Sequence, residues 1–195
     1  VVATRAAGRE RQRLDSLGRS DLLTGIANRA AFDEQLGALL SRPGRDRLTV
    51  LVLELQRLNA INDSYGHEVG DALLAEVASH LRDGMRRDEV LARLGGAQFA
   101  VICPSTSTLA VARARAEELQ AVVRAPFRIG RDTLRIVANV GFVVTDEHQS
   151  SPAEVLRDAA AALLEADDRG PNSVVAFELS LRSRLVATSA EAKLR

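Results

Sequence analysis

The run LTVLVLEL, Leu48 to Leu55, limits the fold of this chain more than any other stretch. A strand with one solvated face alternates apolar and polar residues, because successive side chains point to opposite faces. This run is almost continuously apolar, so the strand it predicts is central and covered on both sides. The flanking sequence supplies helices for the cover. Ala30 to Leu40 places Phe32, Leu36, Leu39 and Leu40 on one helical face. Ala72 to Leu81 does the same with Leu73, Leu74, Val77, Ala78 and Leu81. The expected fold is an α/β sandwich, a central mixed or mostly antiparallel sheet flanked by helices.

The remaining elements fit that frame. LARLGGAQFAVIC, Leu91 to Cys103, has two apolar runs around Gly95–Gly96 and predicts a hairpin. PSTST caps a long helix from Leu109 to Val123. FRIGRDTLRIVANVGFVV predicts two strands paired across Gly130–Arg131. In SSPAEVL, Ser151 is the expected N-cap, Pro152 the first helical residue and Glu154 the reciprocal partner of a capping box, for a helix reaching about Asp168. SVVAF predicts a last strand. Between the central strand and Ala72, QRLNAINDSYGHEVGD reads as a polar turn with a helical start. Val1 to Gly18 reads as a mostly solvated helix, with Leu14 and Leu17 as its apolar stripe, and Glu178 to Arg195 reads as a second terminal helix.

Charge and cysteine content narrow the function. Acidic and basic residues balance at 26 each, which gives no reason to expect a nucleic-acid or anionic-membrane surface. The single cysteine, Cys103, excludes a disulfide framework or a cysteine-rich zinc site within the chain, and its place at the end of an apolar strand reads as a buried, inert thiol. No run approaches the ~18 apolar residues of a membrane span, and no signal peptide is visible. A cytoplasmic location is expected.

Several motifs in a fixed order carry a resemblance. DLLTGIANRAAF (Asp21–Phe32) and LELQRLNAINDSYGHEVGDALL (Leu53–Leu74) come first, the latter with N-D-x-x-G-H-x-x-G-D intact from Asn62 to Asp71. ARLGGAQF (Ala92–Phe99), NVGFVV (Asn139–Val144) and GPN (Gly170–Asn172) follow. From Ser20 to Phe177 the chain resembles the GGDEF domains, the diguanylate cyclases. The resemblance implies a palm-like fold shared with nucleotide cyclases and polymerases. It also implies a reaction that makes cyclic di-GMP from two GTP held on facing domains.

That reaction has physical requirements. Carboxylates must hold Mg²⁺ against a triphosphate, cations must hold the outer phosphates, and a polar pair must read guanine. By the resemblance, Asn62 and Asp71 are the base-reading pair, with Gly95 and Gly96 allowing close backbone approach. Read locally, Asn62 is a turn residue and Asp71 a helix N-terminal acid. The first metal carboxylate becomes Glu54, a weak metal candidate beside the Leu55 backbone carbonyl. The family's second strand acid is Gln56, and the two hairpin acids are Ala97 and Gln98, so no catalytic residue is assigned. Glu54 alone also reads as a partly solvated strand-end residue. The family's phosphate cations fall on Asn59, Asp167 and Pro171; Arg169 is nearby but points elsewhere by helical phase. The family's product-inhibition pair falls on Arg86 and Glu89, which read equally as a solvated charged turn.

The expected organisation is an N-terminal signalling helix (1–19), a degenerate GGDEF domain (20–177) and a C-terminal helical connector (178–195). Such a chain is a piece of a sensor–GGDEF–EAL protein, with the upstream sensor and downstream EAL phosphodiesterase domain as partners in cis and a homodimer through the N-terminal helix. Three functions follow in order of expectation. The first is a catalytically inactive regulatory, scaffolding or dimerisation domain. The second is a nucleotide sensor, binding GTP through Asn62 and Asp71 or cyclic di-GMP through Arg86 and Glu89. The third is a cyclase with unusual ligands. No cofactor is expected, and Mg²⁺ only where nucleotide binding is retained.

Overall fold

The computed structural model describes residues 18–146, 149 and 151–178. The two terminal helices expected from the sequence fall outside the described residues, apart from Gly18 and Glu178.

The run at Leu48 becomes a strand, Thr49–Leu55, here β2, following a two-residue strand at Ala27–Asn28, β1. β2 lies inside a six-stranded sheet. On one side it pairs antiparallel with Gln98–Cys103 (β4), which forms the hairpin with Val90–Gly95 (β3). On the other it pairs antiparallel with Ala138–Val144 (β7). Two short parallel strands close the edges: β1 beside β3, and Val174–Ala176 (β8) beside β7. The sheet is mixed but mostly antiparallel.

Both faces of β2 are covered, as its composition requires. Leu51, Leu53 and Leu55 pack toward His67–Asp83 (α3) and Leu109–Val123 (α4), through Leu73, Val77, Leu81 and Leu119. Val50 and Val52 face the opposite way, into Phe32, Leu36 and Leu40 of Arg29–Leu40 (α1) and Val155, Ala159 and Leu163 of Pro152–Arg169 (α5). The helix starts are capped as expected. Thr108 Oγ1 accepts from the Val111 N–H, and Ser151 Oγ from the Glu154 N–H at 3.3 Å.

Two segments differ from expectation. The polar stretch after β2 is not a turn. It forms Leu58–Tyr65 (α2), and α3 then starts directly after Gly66 rather than at Ala72. α2 carries only a short stripe, Leu58 and the partly buried Ile61, and the first turn of α3 exposes His67 and Glu68, so the apolar signal is brief beside the run of polar residues. The strands around Gly130–Arg131 also part company. Phe127–Ile129 (β5) and Asp132–Leu134 (β6) form their own two-stranded sheet, while β7 is a separate strand of the central sheet. β2 needs a partner on its second edge, and the apolar run of β7 meets that need. Among the described residues, no helix is long and apolar enough to cross a membrane.

Candidate functional site

The hairpin turn and the end of β2 face each other. Gly95 and Gly96 adopt φ of +129° and +51°, backbone regions that disfavour a Cβ, so the turn keeps its glycines for steric reasons. The Leu55 N–H donates to the Ala97 carbonyl at 3.0 Å, fastening the turn to the strand end. Glu54 stands directly across from Gln98, and Gln98 Nε2 donates to Glu54 Oε2 at 3.2 Å. The Leu55 side chain is buried in the core, leaving only its backbone toward the site. Ala97 offers no ligand atom. A single carboxylate bonded to a neutral amide does not match a two-metal centre, which needs charge to neutralise bound phosphates. Among the described residues, no group of three or more His, Cys, Asp or Glu side chains is placed to hold a metal ion.

The end of α5 meets the same edge of the sheet. Asp167 Oδ1 accepts from Asn139 Nδ2 at 2.6 Å and from Gln56 Nε2 at 3.2 Å. Asn139 is fully buried, and its Oδ1 accepts from the Ser173 N–H at 2.9 Å. The position that the resemblance gives to a phosphate-binding cation therefore holds an exposed carboxylate bonded to two amides. Pro171 adds no donor. Arg169 donates to Glu165 Oε1 at 3.0 and 3.1 Å along its own helix, as its phase predicts. Asn59 is exposed on α2.

Asn62 and Asp71 come from adjoining helices. The Asn62 side chain lies over Gly70, so closely that a Cβ built on Gly70 would stand 1.8 Å from Asn62 Oδ1. That oxygen is shut off from water and has no hydrogen-bond partner. Asp71 follows at once, exposed and without a side-chain partner among the described residues. The buried amide oxygen and the exposed carboxylate thus come from adjoining helices, and only Asp71 presents its side chain to solvent.

The Arg86–Glu89 segment is organised differently. The Glu89 side chain is only 2% exposed and bonds Arg115 at 2.5 and 2.9 Å. It also accepts from the Arg86 N–H at 2.8 Å, closing the turn. Arg86, half exposed, reaches Glu118 at 3.1 Å, and Arg115 holds the same carboxylate at 2.9 Å. The Arg115 hydrogen bond, with Arg86 nearby, outweighs a small burial effect and holds the Glu118 carboxyl below its usual range. Beside this cluster, burial and then the Glu89 carboxylate push the Cys103 thiol far up, so it stays protonated and inert. Asp88 bonds Ser105 Oγ, which is the main reason its carboxyl is held low.

Two residues central to this geometry are absent from the sequence reading. Arg93, in β3, donates from Nε and Nη2 to the Gly96 carbonyl at 3.1 and 2.8 Å and from Nη1 to both Asp21 oxygens at 3.1 and 3.2 Å. Its signal is an arginine interrupting the apolar run of a strand. Arg115 sits in phase with the buried Ala112, Ala116 and Leu119 of α4, and an arginine on an apolar helical face calls for a buried partner.

Comparison with known proteins agrees with this geometry. The family model described as "Diguanylate cyclase, GGDEF domain" matches residues 19–173. The chain belongs to the GGDEF family. It is 35% identical over 185 residues to the bifunctional diguanylate cyclase/cyclic di-GMP phosphodiesterase MucR of Pseudomonas aeruginosa, covering 94% of this chain and 27% of that protein. It is 31% identical to the cyclic di-GMP phosphodiesterase PdeR of Escherichia coli, covering 91% of this chain and 27% of that one. The chain thus spans about a quarter of the length of these curated relatives. Among solved structures, the GGDEF domain of TpbB (YfiN) from Pseudomonas aeruginosa superposes with a TM-score of 0.80 at 32% identity, covering 85% of this chain and 98% of that one. The coiled-coil and GGDEF domain of DgcB from Caulobacter crescentus, solved with c-di-GMP, gives 0.78 at 29% identity, covering 89% of this chain and 95% of that one.

Proposed function

We propose that this domain makes no cyclic di-GMP and acts as a regulatory or scaffolding module of cyclic di-GMP signalling. One observation carries the reading: Asp167 holds the phosphate position, tied to Asn139 and Gln56. A carboxylate there repels a triphosphate. Its Oδ1 is engaged by the buried Asn139 amide and the partly exposed Gln56 amide, and rotating it away leaves the Asn139 amide unpaired. The Glu54–Gln98 pair supports the same reading at the metal end. The lengths and names of MucR and PdeR favour a place within a longer chain, between an upstream sensor and a downstream phosphodiesterase domain, with pairing of two copies as a route for the signal. Incubation with GTP and Mg²⁺ tests the proposal: no cyclic di-GMP is expected, and product formation overturns it.

A second reading has its own support. The exposed Asp71 carboxylate, without a side-chain partner among the described residues and on the helix adjoining Asn62, favours retained recognition of guanine, so the domain senses GTP without turning it over. Binding is expected to be weak and nearly independent of Mg²⁺. Calorimetry with and without the metal checks this, and strong Mg²⁺-dependent binding lost on Glu54→Ala would overturn it. Recognition of cyclic di-GMP would rest on Arg86 alone, since Glu89 is committed to Arg115. Calorimetry showing no heat with high-micromolar cyclic di-GMP removes that possibility.

A further inference from the structure

α2 has a second face, turned away from Asn59 and Asn62. Arg57, Ala60, Ile61, Ser64 and Tyr65 share it by helical phase. This second face forms one wall of a cleft of about 480 Å³, closed by Arg135, Ile136 and Val137 on one side and by Pro171 and Asn172 on another, with Gln56, the partner of Asp167, at its margin. That is a volume suited to a small molecule. We propose that this cleft binds a small anion, a phosphate or a carboxylate, carried on an apolar body.

Three observations carry the assignment. The first is charge. The chain as a whole balances acid and base, yet this cleft is lined by two guanidinium groups and no carboxylate. Neither Arg57 nor Arg135 has an ion-pair partner among the described residues. Guanidinium forks match phosphate and carboxylate oxygens in pairs, which selects the anion. The second is the wall between them. Ala60, Ile61, Ile136, Val137 and Pro171 offer an apolar bed without donors or acceptors of their own side chains, which selects the apolar body.

The third is backbone conformation. Among the described residues only Arg57 and Asn172 combine a side chain with positive φ, at +63° and +65°. Both line this cleft, from elements far apart in sequence. Left-handed backbone at a non-glycine residue is disfavoured, and such residues gather where a side chain must be aimed at a ligand. The left-handed turn at Arg57 starts α2 with its guanidinium at the cleft.

The protein supplies its own reporter. It has one tyrosine, Tyr65, and no tryptophan, so its near-ultraviolet emission arises at the cleft wall. The probes are n-hexyl phosphate and hexanoate, with hexan-1-ol as the uncharged control; none absorbs where tyrosine is excited. A saturable change in Tyr65 emission is expected with at least one anion, and which one responds identifies the source. The alcohol should bind at least about tenfold more weakly than the responding anion, as should that anion to the Arg57→Gln/Arg135→Gln variant. Arg135→Gln alone lies in a connecting segment away from the helix start and should show part of the loss. Asp71→Ala, on the nucleotide side, should leave the titration unchanged, which separates this site from the reading given above. The proposal is overturned by no saturable change with either anion, by equal affinity for the alcohol, by unchanged affinity in both arginine variants, or by loss of binding in Asp71→Ala.

Discussion

The two ends of the candidate site are organised differently. Where β2, the hairpin and α5 meet, two carboxylates bond neutral amides: Glu54 to Gln98, and Asp167 to Asn139 and Gln56. At the other end no such bonds form: Asn62 Oδ1 is buried without a partner, and Asp71 keeps an exposed carboxylate without a side-chain partner among the described residues. The difference teaches where an amide partner matters. Glu54 is partly exposed and Asp167 exposed, so their amide partners fix orientation rather than compensate a buried charge. The costly group is the neutral one, because a buried acceptor without a partner carries a penalty of about 1–3 kcal/mol.

Perturbation should separate the closed regions from the open one. The largest effect is expected where closure is deepest. Arg115→Ala leaves the Glu89 carboxylate buried without its cation and should lower stability by about 3–5 kcal/mol in urea unfolding. A loss below about 1 kcal/mol would place Glu89 among the solvated groups instead. Asp167→Ala orphans the buried Asn139 amide and should cost about 1–3 kcal/mol by the same measurement. At the open end the effect moves from stability to binding. Gly70→Ala puts a methyl group where Asn62 Oδ1 now lies and should weaken GTP binding about tenfold with little change in melting temperature. Unchanged affinity in that variant would remove Asn62 from base recognition.

Acid should act mildly on the contact between Asp21 and Arg93. Burial pushes the Asp21 carboxyl up, but the Thr24 hydroxyl and N–H and the Arg93 guanidinium more than offset it, leaving it below its ordinary value. Its folded form therefore binds protons less readily than the unfolded chain. The resulting stability is complete above about pH 4 and is lost as pH falls through the lower folded value. Unfolding curves between neutral pH and the acid range should show this slope, reduced in Arg93→Ala. The smallest effect concerns turnover. Restoring acids with Ala97→Asp and Gln98→Glu should still give no cyclic di-GMP, because Asp167 and Pro171 remain. Product from that double variant would break the contrast between the two ends.

Much of the scaffold was legible because burial leaves a periodic trace. The continuous run of β2, the alternate faces of its neighbours and the caps at Thr108 and Ser151 are local signals, and each reappears in the structure. The site residues were legible by position, since the motifs fix their order. What they touch was not. The Gln56–Asp167 bond joins residues 111 apart in the chain, and no local rule pairs an amide with a carboxylate at that distance. α2 leaves a faint trace because only Leu58 and Ile61 of its eight residues reach the core. β6 and β7 were merged because a break between two apolar strands, at residues 135–137, looks no different from a continuation until the sheet around β2 claims one of them.

The Arg93 clamp frees the turn beside it from dependence on the side chains at its tip. The turn is held from outside: one side chain in the preceding strand grips the Gly96 carbonyl and anchors on Asp21, 72 residues upstream. The tip adds its glycine backbone and the Ala97 carbonyl, not the Ala97 side chain. A hairpin bracketed in this way keeps its path whatever small side chain stands at position 97, so the chemistry of the tip is uncoupled from the folding of the domain.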